Sequence, residues 1–513
     1  MRSYYSHLKT FGSTSRKPVF RTSAIFPVWN EKEMTTRILF MGYWLLKRGI
    51  KELGWVTTLR SQDGNLLARH IQSITTPQAQ RVELQELLEQ AGISLESSFQ
   101  GSLELEFFSS QPLVFPFPAT VINLYGPGYS TMVHTAQRIY NDLEDKEINS
   151  VQHVPEAGFN LHCNGHSEPF VAIINGFESI DQPLLEMEII NCKAESLTIP
   201  FAYPELKPYE LVILSPTEKC DLAEFLYGEP GTAKVKYHFP WIFPRVIAGN
   251  RLKHPKGAVI THTYYDCTES NTSEDYWNVT DKDHEPASLM VPADFRNDRF
   301  THIYFYPIYS PGSFSISLEF YDMQGELVKK FDNILIIESP FTGYKVLKLK
   351  EILDSNHSFQ GDVLGARIIA KSNGDKIPAR IKIGLDVGIS SKGLPCNICT
   401  NLQPYVAAWE TKPQTFKWGP FIDRVWLMNS SPHINRKQEA TLTLQLHRES
   451  DSESVKRDYT LPQHGFLILE RSEFIDFFKD EIGWYTITST NPYCVTYYFH
   501  EGTTGIMGGD HGF

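Results

Sequence analysis

Long apolar runs are missing from this chain. No stretch approaches the roughly 20 consecutive apolar residues that a membrane-spanning helix needs. The first thirty residues carry Arg2, Lys9, Arg16, Lys17 and Arg21 without the apolar centre of a secretory signal. Cysteine is scarce as well, with seven residues spread over 513. An odd and thinly scattered set excludes a disulfide framework of the secreted kind and points to reduced thiols in the cytoplasm. The N-x-Ser/Thr sites at Asn271, Asn278, Asn356 and Asn429 carry no weight in that compartment. Positive charge is also in short supply: 48 Lys and Arg face 60 Asp and Glu, for a net charge of -12. That balance argues against nucleic acid and against an anionic membrane surface, both of which recruit clustered Lys and Arg. No G-x-S-x-G elbow, no G-x-G-x-x-G after a strand and no G-x-x-x-x-G-K-[ST] occurs, which disfavours the familiar nucleotide enzymes.

What the chain has in quantity is strand signal. Phe314-Ser315-Ile316-Ser317-Leu318-Glu319-Phe320 alternates with period two, turns at Gln324-Gly325 and resumes from Leu327 into Ile334-Leu335-Ile336-Ile337. Leu442 to Leu446, Phe466 to Leu469, Trp484 to Thr488 and Tyr493 to Phe499 follow in close succession, and aromatics make up 13% of the chain. Rings and β-branched side chains fit a pleated, half-buried surface. Helices are few and short. Leu84, Leu87, Leu88 and Ala91 form one apolar stripe ended by Gly92, and Asp221 and Ser472 are placed to cap two more.

Internal repetition organises these signals. Ser98-Phe99-Gln100-Gly101 recurs as Ser358-Phe359-Gln360-Gly361, and Val82 to Leu88 matches Leu347 to Leu353 apolar for apolar. The turn Gln62-Asp63-Gly64-Asn65 corresponds to Met323-Gln324-Gly325-Glu326, Pro169 to Ile174 faces Pro420 to Val425, and Gly249-Asn250 faces Gly509-Asp510. The expected fold is all-β: tandem β-sandwich modules, Ig-like or jelly-roll-like, in two internally duplicated halves. At about 100 residues per module, the breaks fall to give 1–152, 153–250, 251–412 and 413–513. Barrel closure of the same strands is the rival architecture.

Three segments carry residues capable of chemistry. His162, Cys163, His166 and Glu168 crowd imidazole, thiol and carboxylate donors into one stretch and would suit a divalent metal if they converged, although Asn164-Gly165 between them favours a turn. The start of the second half interleaves Tyr264, Tyr265, Tyr276 and Trp277 with acidic residues, a composition that binds a sugar or protein ligand on flat ring faces. The chain also finishes on Gly508-Gly509-Asp510-His511-Gly512-Phe513. If Asp510 orients His511, and if the start and end of the second half meet, then His262, Asp266, Asp510 and His511 form an acid-base or metal-assisted site. The lone pair Cys396 and Cys399 lacks the second C-x-x-C of a zinc ribbon and reads as two ordinary thiols. Two functions follow. The first is a non-catalytic binding or assembly protein for carbohydrate or protein, with homo-oligomers expected where sheet edges need cover. The alternative is a hydrolase or lyase whose site lies in the second half, the first half serving as scaffold.

Overall fold

The computed structural model describes residues 18–513 except 116, 135, 141–150, 155–157, 244, 254–255, 264–275, 279–282, 309–311, 339–340, 356–360, 379–380, 390–392, 405–414 and 436. The alternating segments become antiparallel strands throughout, and the tandem β-sandwich expectation holds. In the first module eight strands run as β1 (Arg21–Asn30), β2 (Thr35–Met41), β3 (Leu53–Ser61), β4 (Leu66–Ile74), β5 (Ala79–Glu83), β6 (Phe99–Phe108), β7 (Thr120–Gly126) and β8 (Tyr129–His134). They form two four-stranded sheets, ordered β1-β6-β3-β4 and β5-β2-β7-β8. Aromatic rings lock the two together: Phe40 on β2 sits 4.8 Å from Trp55 on β3 and 5.2 Å from Phe107 on β6. All three are buried, each contributing about 1.5–3 kcal/mol through removal of apolar surface from water.

The same two strand orders recur three more times, with a fifth strand added to the first sheet of the second module (Val151–Val154, on Gly231–Pro240) and of the third (Gln403–Pro404, on Ala287–Asp294). In the second module the first sheet is Gly158–Leu161, Gly231–Pro240, Leu185–Ile190, Ser196–Pro200, and the second is Leu211–Leu214, Ser167–Ile174, Ile247–Leu252, Gly257–His262. The third pairs Ala287–Asp294, Val363–Ser372, Phe314–Tyr321, Leu327–Ile337 with Lys345–Lys348, Phe300–Phe305, Lys382–Gly388, Cys396–Asn401. The fourth pairs Thr415–Phe421, Gly483–Ser489, Ala440–His447, Ser454–Leu461 with Phe466–Glu470, Arg424–Asn429, Cys494–Glu501, Met507–His511. A short helix lies between the fifth and sixth strands of every module: Leu84–Gln90, Leu222–Phe225, Leu349–Asp354 and Ile475–Phe478. Asp221 caps the second by accepting from the Glu224 amide at 3.0 Å. In the fourth, Glu470 and Glu473 make the capping box and Ser472 lies inside the preceding 3-10 turn.

The modules meet through their eighth strands. β8 packs against Gly257–His262 and against Met507–His511, and Cys396–Asn401 packs against those same two strands, so the four close a ring. Close approach of backbones is possible because small residues occupy the contact. A Cβ on Gly508 would stand 2.9 Å from Thr131 Cα and closer still to the Ser130 carbonyl oxygen. Thr131 Oγ1 donates across the neighbouring contact to the Ala258 carbonyl at 2.8 Å. No helix among the described residues is long and apolar enough to cross a membrane.

A candidate metal centre at the module junction

Each eighth strand pairs with the seventh strand of its own module, and the pairing places one residue at the inner end of every hairpin. His134 lies opposite Val121, His262 opposite Ile247, Asn401 opposite Lys382 and His511 opposite Tyr497. Three modules therefore present histidine at the equivalent position, and the third presents asparagine. The ring of eighth strands brings these histidines together. His134 lies edge to face with His262 at 4.8 Å between ring centroids and with His511 at 4.4 Å. One ligand atom from each of the three falls within 4.8 Å of the others, the one such group among the described residues. On a single tetrahedral ion at about 2.0–2.1 Å the nitrogens would stand about 3.3 Å apart.

Hydrogen bonds fix the ring orientations. Nδ1 of His134 lies 2.7 Å from Oδ2 of Asp510, Nδ1 of His262 lies 3.2 Å from the Thr263 carbonyl, and Nδ1 of His511 lies 2.9 Å from the Gly512 carbonyl. The Thr263 and Gly512 carbonyls can only accept, so Nδ1 of His262 and of His511 donates and their Nε2 atoms keep a lone pair, as does that of His134 when Asp510 is ionised. Nε2 of His262 is buried without a hydrogen-bonding partner. A ring whose far nitrogen is held by a carbonyl or carboxylate is the arrangement that prepares histidine for a metal. Asp510, 1% exposed, takes the His134 amide at 2.8 Å on the same oxygen and the His511 amide at 2.8 Å on the other.

Burial pushes His134 and His262 well below the usual imidazole value and His511 down to about 4. Burial disfavours charge on the imidazole side of the short His134 contact with Asp510. Burial also raises the Asp510 carboxyl, against the pull of its amide donors and the neighbouring imidazoles. Neutral rings are the ligand-competent form, so the cluster needs no proton loss at neutral pH before taking a cation.

A cleft of about 240 Å³ leads to this cluster and has His134 on its wall. The helix Tyr43–Arg48 supplies Tyr43, Lys47 and Arg48, and Arg245, Trp418 and Phe513 complete the inner part. Phe513 lies edge to face on His134 at 4.7 Å and stacks with Trp418 at 5.9 Å, while Tyr43 stacks with Trp418 at 4.8 Å.

The structure brings together His262, Asp510 and His511 and adds His134. Asp266, Tyr264 and Tyr265 lie outside the described residues. Tyr276 and Trp277 fall in a three-residue strand that pairs with Lys376–Pro378, and their side chains are not described. His162, Cys163, His166 and Glu168 do not converge. His162 turns to Asp386 of the third module at 3.0 Å, Cys163 is buried with its thiol pushed up by burial, His166 is exposed and Glu168 pairs with Lys253 at 2.7 Å. The turn at Asn164-Gly165, where Gly165 has φ 80°, points the four side chains apart. Cys396 and Cys399 lie on a strand, not in a loop, with three residues of separation that put them on opposite faces. His134 escaped the sequence reading because Tyr129 to Val133 looks like an ordinary buried strand. The signal that could have found it is a glycine five or six residues before a histidine that ends a short strand, as at Gly128 to His134, Gly257 to His262 and Gly505 to His511.

No protein-family model matches the chain, and no curated protein matches it. A solved structure described as the crystal structure of a tetra-tandem repeat in the extending region of a large adhesion protein aligns with 96% of this chain and 97% of its own, at 7% identity and a TM-score of 0.09. A superposition that poor carries no argument about fold or function.

Proposed function

We propose that this protein is a metal-dependent enzyme of the hydrolase or lyase class, its centre formed by His134, His262 and His511 and oriented by Asp510. The observation that carries the reading is the convergence of three neutral imidazoles, each held at Nδ1, from equivalent positions of three modules. Three protein ligands, one of them on the wall of a cleft, match the ligand number of catalytic zinc, whereas structural zinc is closed by four. Imidazole donors suit zinc and its transition-metal neighbours rather than calcium or magnesium. An ion there would supply a Lewis acid and lower the pKa of a bound water toward neutrality.

The non-catalytic reading, a protein or carbohydrate binder built of tandem sandwiches, draws its support from the repeat architecture alone. Cytosolic placement accords with the free thiols Cys163, Cys396, Cys399 and Cys494. Elemental analysis and calorimetric titration with zinc decide between the readings. One equivalent per chain is expected, lost in His262→Ala and in His511→Ala and kept in His166→Ala. Cobalt(II) substitution should give the visible spectrum of a four-coordinate nitrogen site. Equal zinc binding by wild type and His262→Ala would remove the proposal.

A further inference from the structure

A strand at the edge of a sheet presents unpaired N–H and C=O groups, and folds cover or blunt such edges. In the first module three of the four edges are covered. β1 is covered by the bridge from Ile25 to Gln137, β5 by the fourth module, where the Ala79 amide donates to the Arg448 carbonyl at 3.0 Å, and β8 by the ring of eighth strands. The remaining edge, β4, pairs with β3 alone among the described residues. Fourth strands of the other modules carry protective devices. Ser196–Pro200 is five residues long and ends in proline. Leu327–Ile337 holds Lys329 and Lys330 and is broken by a bulge across Asp332 to Ile334, where Asn333 has φ 52°. Ser454–Leu461 carries Lys456 and Arg457. By contrast β4 reads Leu66-Leu67-Ala68-Arg69-His70-Ile71-Gln72-Ser73-Ile74, with neither proline nor lysine and its one register shift at the turn end. Ile71 is 78% exposed and Leu66 61%. Both flanks are anchored: Gln62 accepts from the Leu211 amide of the second module at 2.9 Å, and Gln78 donates to the Glu449 carbonyl of the fourth at 2.8 Å. The edge is a held, extended template, which lowers the entropy cost of pairing.

We infer that β4 is where a second copy of this chain docks, strand against antiparallel strand, to make one continuous sheet across a two-fold axis. The choice of a copy follows from charge. Arg69, the one permanently charged residue of the strand, pairs with Glu106 of its own sheet at 3.4 Å, so the edge favours neither an acidic nor a basic partner. Side chains alternate between faces and a two-fold normal to the sheet keeps each face, so the axis passes through a residue position. Through Arg69 it would oppose two guanidinium groups, which is destabilising. Through His70 it would set each Arg69 against Ile71. Through Ile71 it brings the most exposed large apolar side chain among the described residues against its own copy, with His70 opposite Gln72, Arg69 opposite Ser73 and Ala68 opposite Ile74. Opposed Cβ atoms then stand about 4.5–5.5 Å apart, within contact for two isoleucines. A single strand pair falls below the roughly 1,200 Å² of total area that a stable interface buries, so the dimer is weak, with a Kd of about 10–100 µM.

Sedimentation of the full chain between about 1 and about 200 µM tests it, with chelator present so that the result is independent of the metal centre. The weight-average mass should climb from one chain toward two over that range. Ile71→Lys and Ile71→Glu, at a side chain that projects into solvent and so removes little packing, should each weaken association at least tenfold. An equimolar mixture of the two variants should regain it, because only across a two-fold at residue 71 does the introduced ammonium meet the introduced carboxylate. Leu327→Lys, on the bulged edge of the third module, should associate like the parent. A parent that stays a single chain throughout, an Ile71→Lys protein that associates as the parent does, or a mixture that remains monomeric overturns the inference. Loss of association in Leu327→Lys moves the contact to the third module and overturns it as well.

Discussion

Gly508→Ala should open the metal cluster without touching a ligand. Gly508 faces β8 across the junction between the fourth and first modules, and an added Cβ would lie 2.9 Å from both the Ser130 carbonyl carbon and Thr131 Cα. Ordinary contact begins near 3.4 Å, and the obstructing atoms are backbone held in register with β7, so neither side can yield by rotating a side chain. The strands must part by roughly an ångström in an interior packed to crystal density. Overpacking of this kind costs about 1–3 kcal/mol. In a cooperative unit of 150–250 residues that lowers Tm by about 2–12 °C. His511 is three residues along the displaced strand, and its ring lies 4.4 Å from that of His134 on the strand being pushed away. Withdrawing one donor of three by this distance should weaken zinc by at least tenfold, about 1.4 kcal/mol. Differential scanning calorimetry with and without zinc gives both numbers. Gly374→Ala is the control, since nothing lies within 4 Å of its added Cβ, and its effect should stay within about 0.5 kcal/mol. A Gly508→Ala protein that melts and binds zinc like the parent would show that the two strands are not apposed as described.

Asp510→Asn presents an amide where the His134 ring and two backbone N–H groups need an acceptor. Zinc affinity should fall about 10–100-fold by titration calorimetry, with the fold retained on circular dichroism. Asp386 is wholly buried and accepts from Asn160 at 3.0 Å, Asn397 at 2.9 Å and His162 at 3.0 Å across the second and third modules. Asp386→Ala strands those donors and should destabilise the chain by about 3–5 kcal/mol in guanidinium unfolding; a change under 1 kcal/mol contradicts the network. His447 is buried on the side of the fourth module that meets Pro77, and burial depresses its pKa to about 4. The unfolded chain binds a proton there below about pH 6.5 that the folded chain refuses until about pH 4. Stability is therefore full above pH 6.5 and lost progressively as pH falls to 4, by about 3 kcal/mol from this residue. His447→Gln should flatten the pH dependence by that amount, and an unaltered slope would show that the ring is charged in the fold.

Much of the architecture could be read from local pattern, because strand and turn chemistry is local. Phe314 to Phe320 became the strand Phe314–Tyr321, Gln324-Gly325 became its turn with Gly325 at φ 77°, and the Leu84, Leu87, Leu88 stripe became a helix. Repetition was read more coarsely than it exists. Short tetrapeptide likenesses paired positions such as Gly249-Asn250 and Gly509-Asp510, which lie on the seventh strand of one module and the eighth of another. The strand order shows one module arrangement four times, without a matching likeness in the sequence. At the site, Asp510 and His511 drew notice because a glycine-rich segment against an aromatic strand is unusual, and His262 because its neighbours are. Nothing near His134 is unusual. Its role comes from apposition with residue 510, 376 positions away, and no window of local periodicity contains that distance.

If an ion binds as proposed, donors drawn from three separate modules would give its capture a timing property. During synthesis the imidazole of residue 134 is made long before that of residue 511, and a chain lacking either cannot capture the ion tightly. Occupancy would therefore report completed docking of remote parts, and a chelator would loosen the whole assembly rather than one lobe. A clasp of this kind would tie loading of the proposed centre to the docking of the fourth module on the first and second.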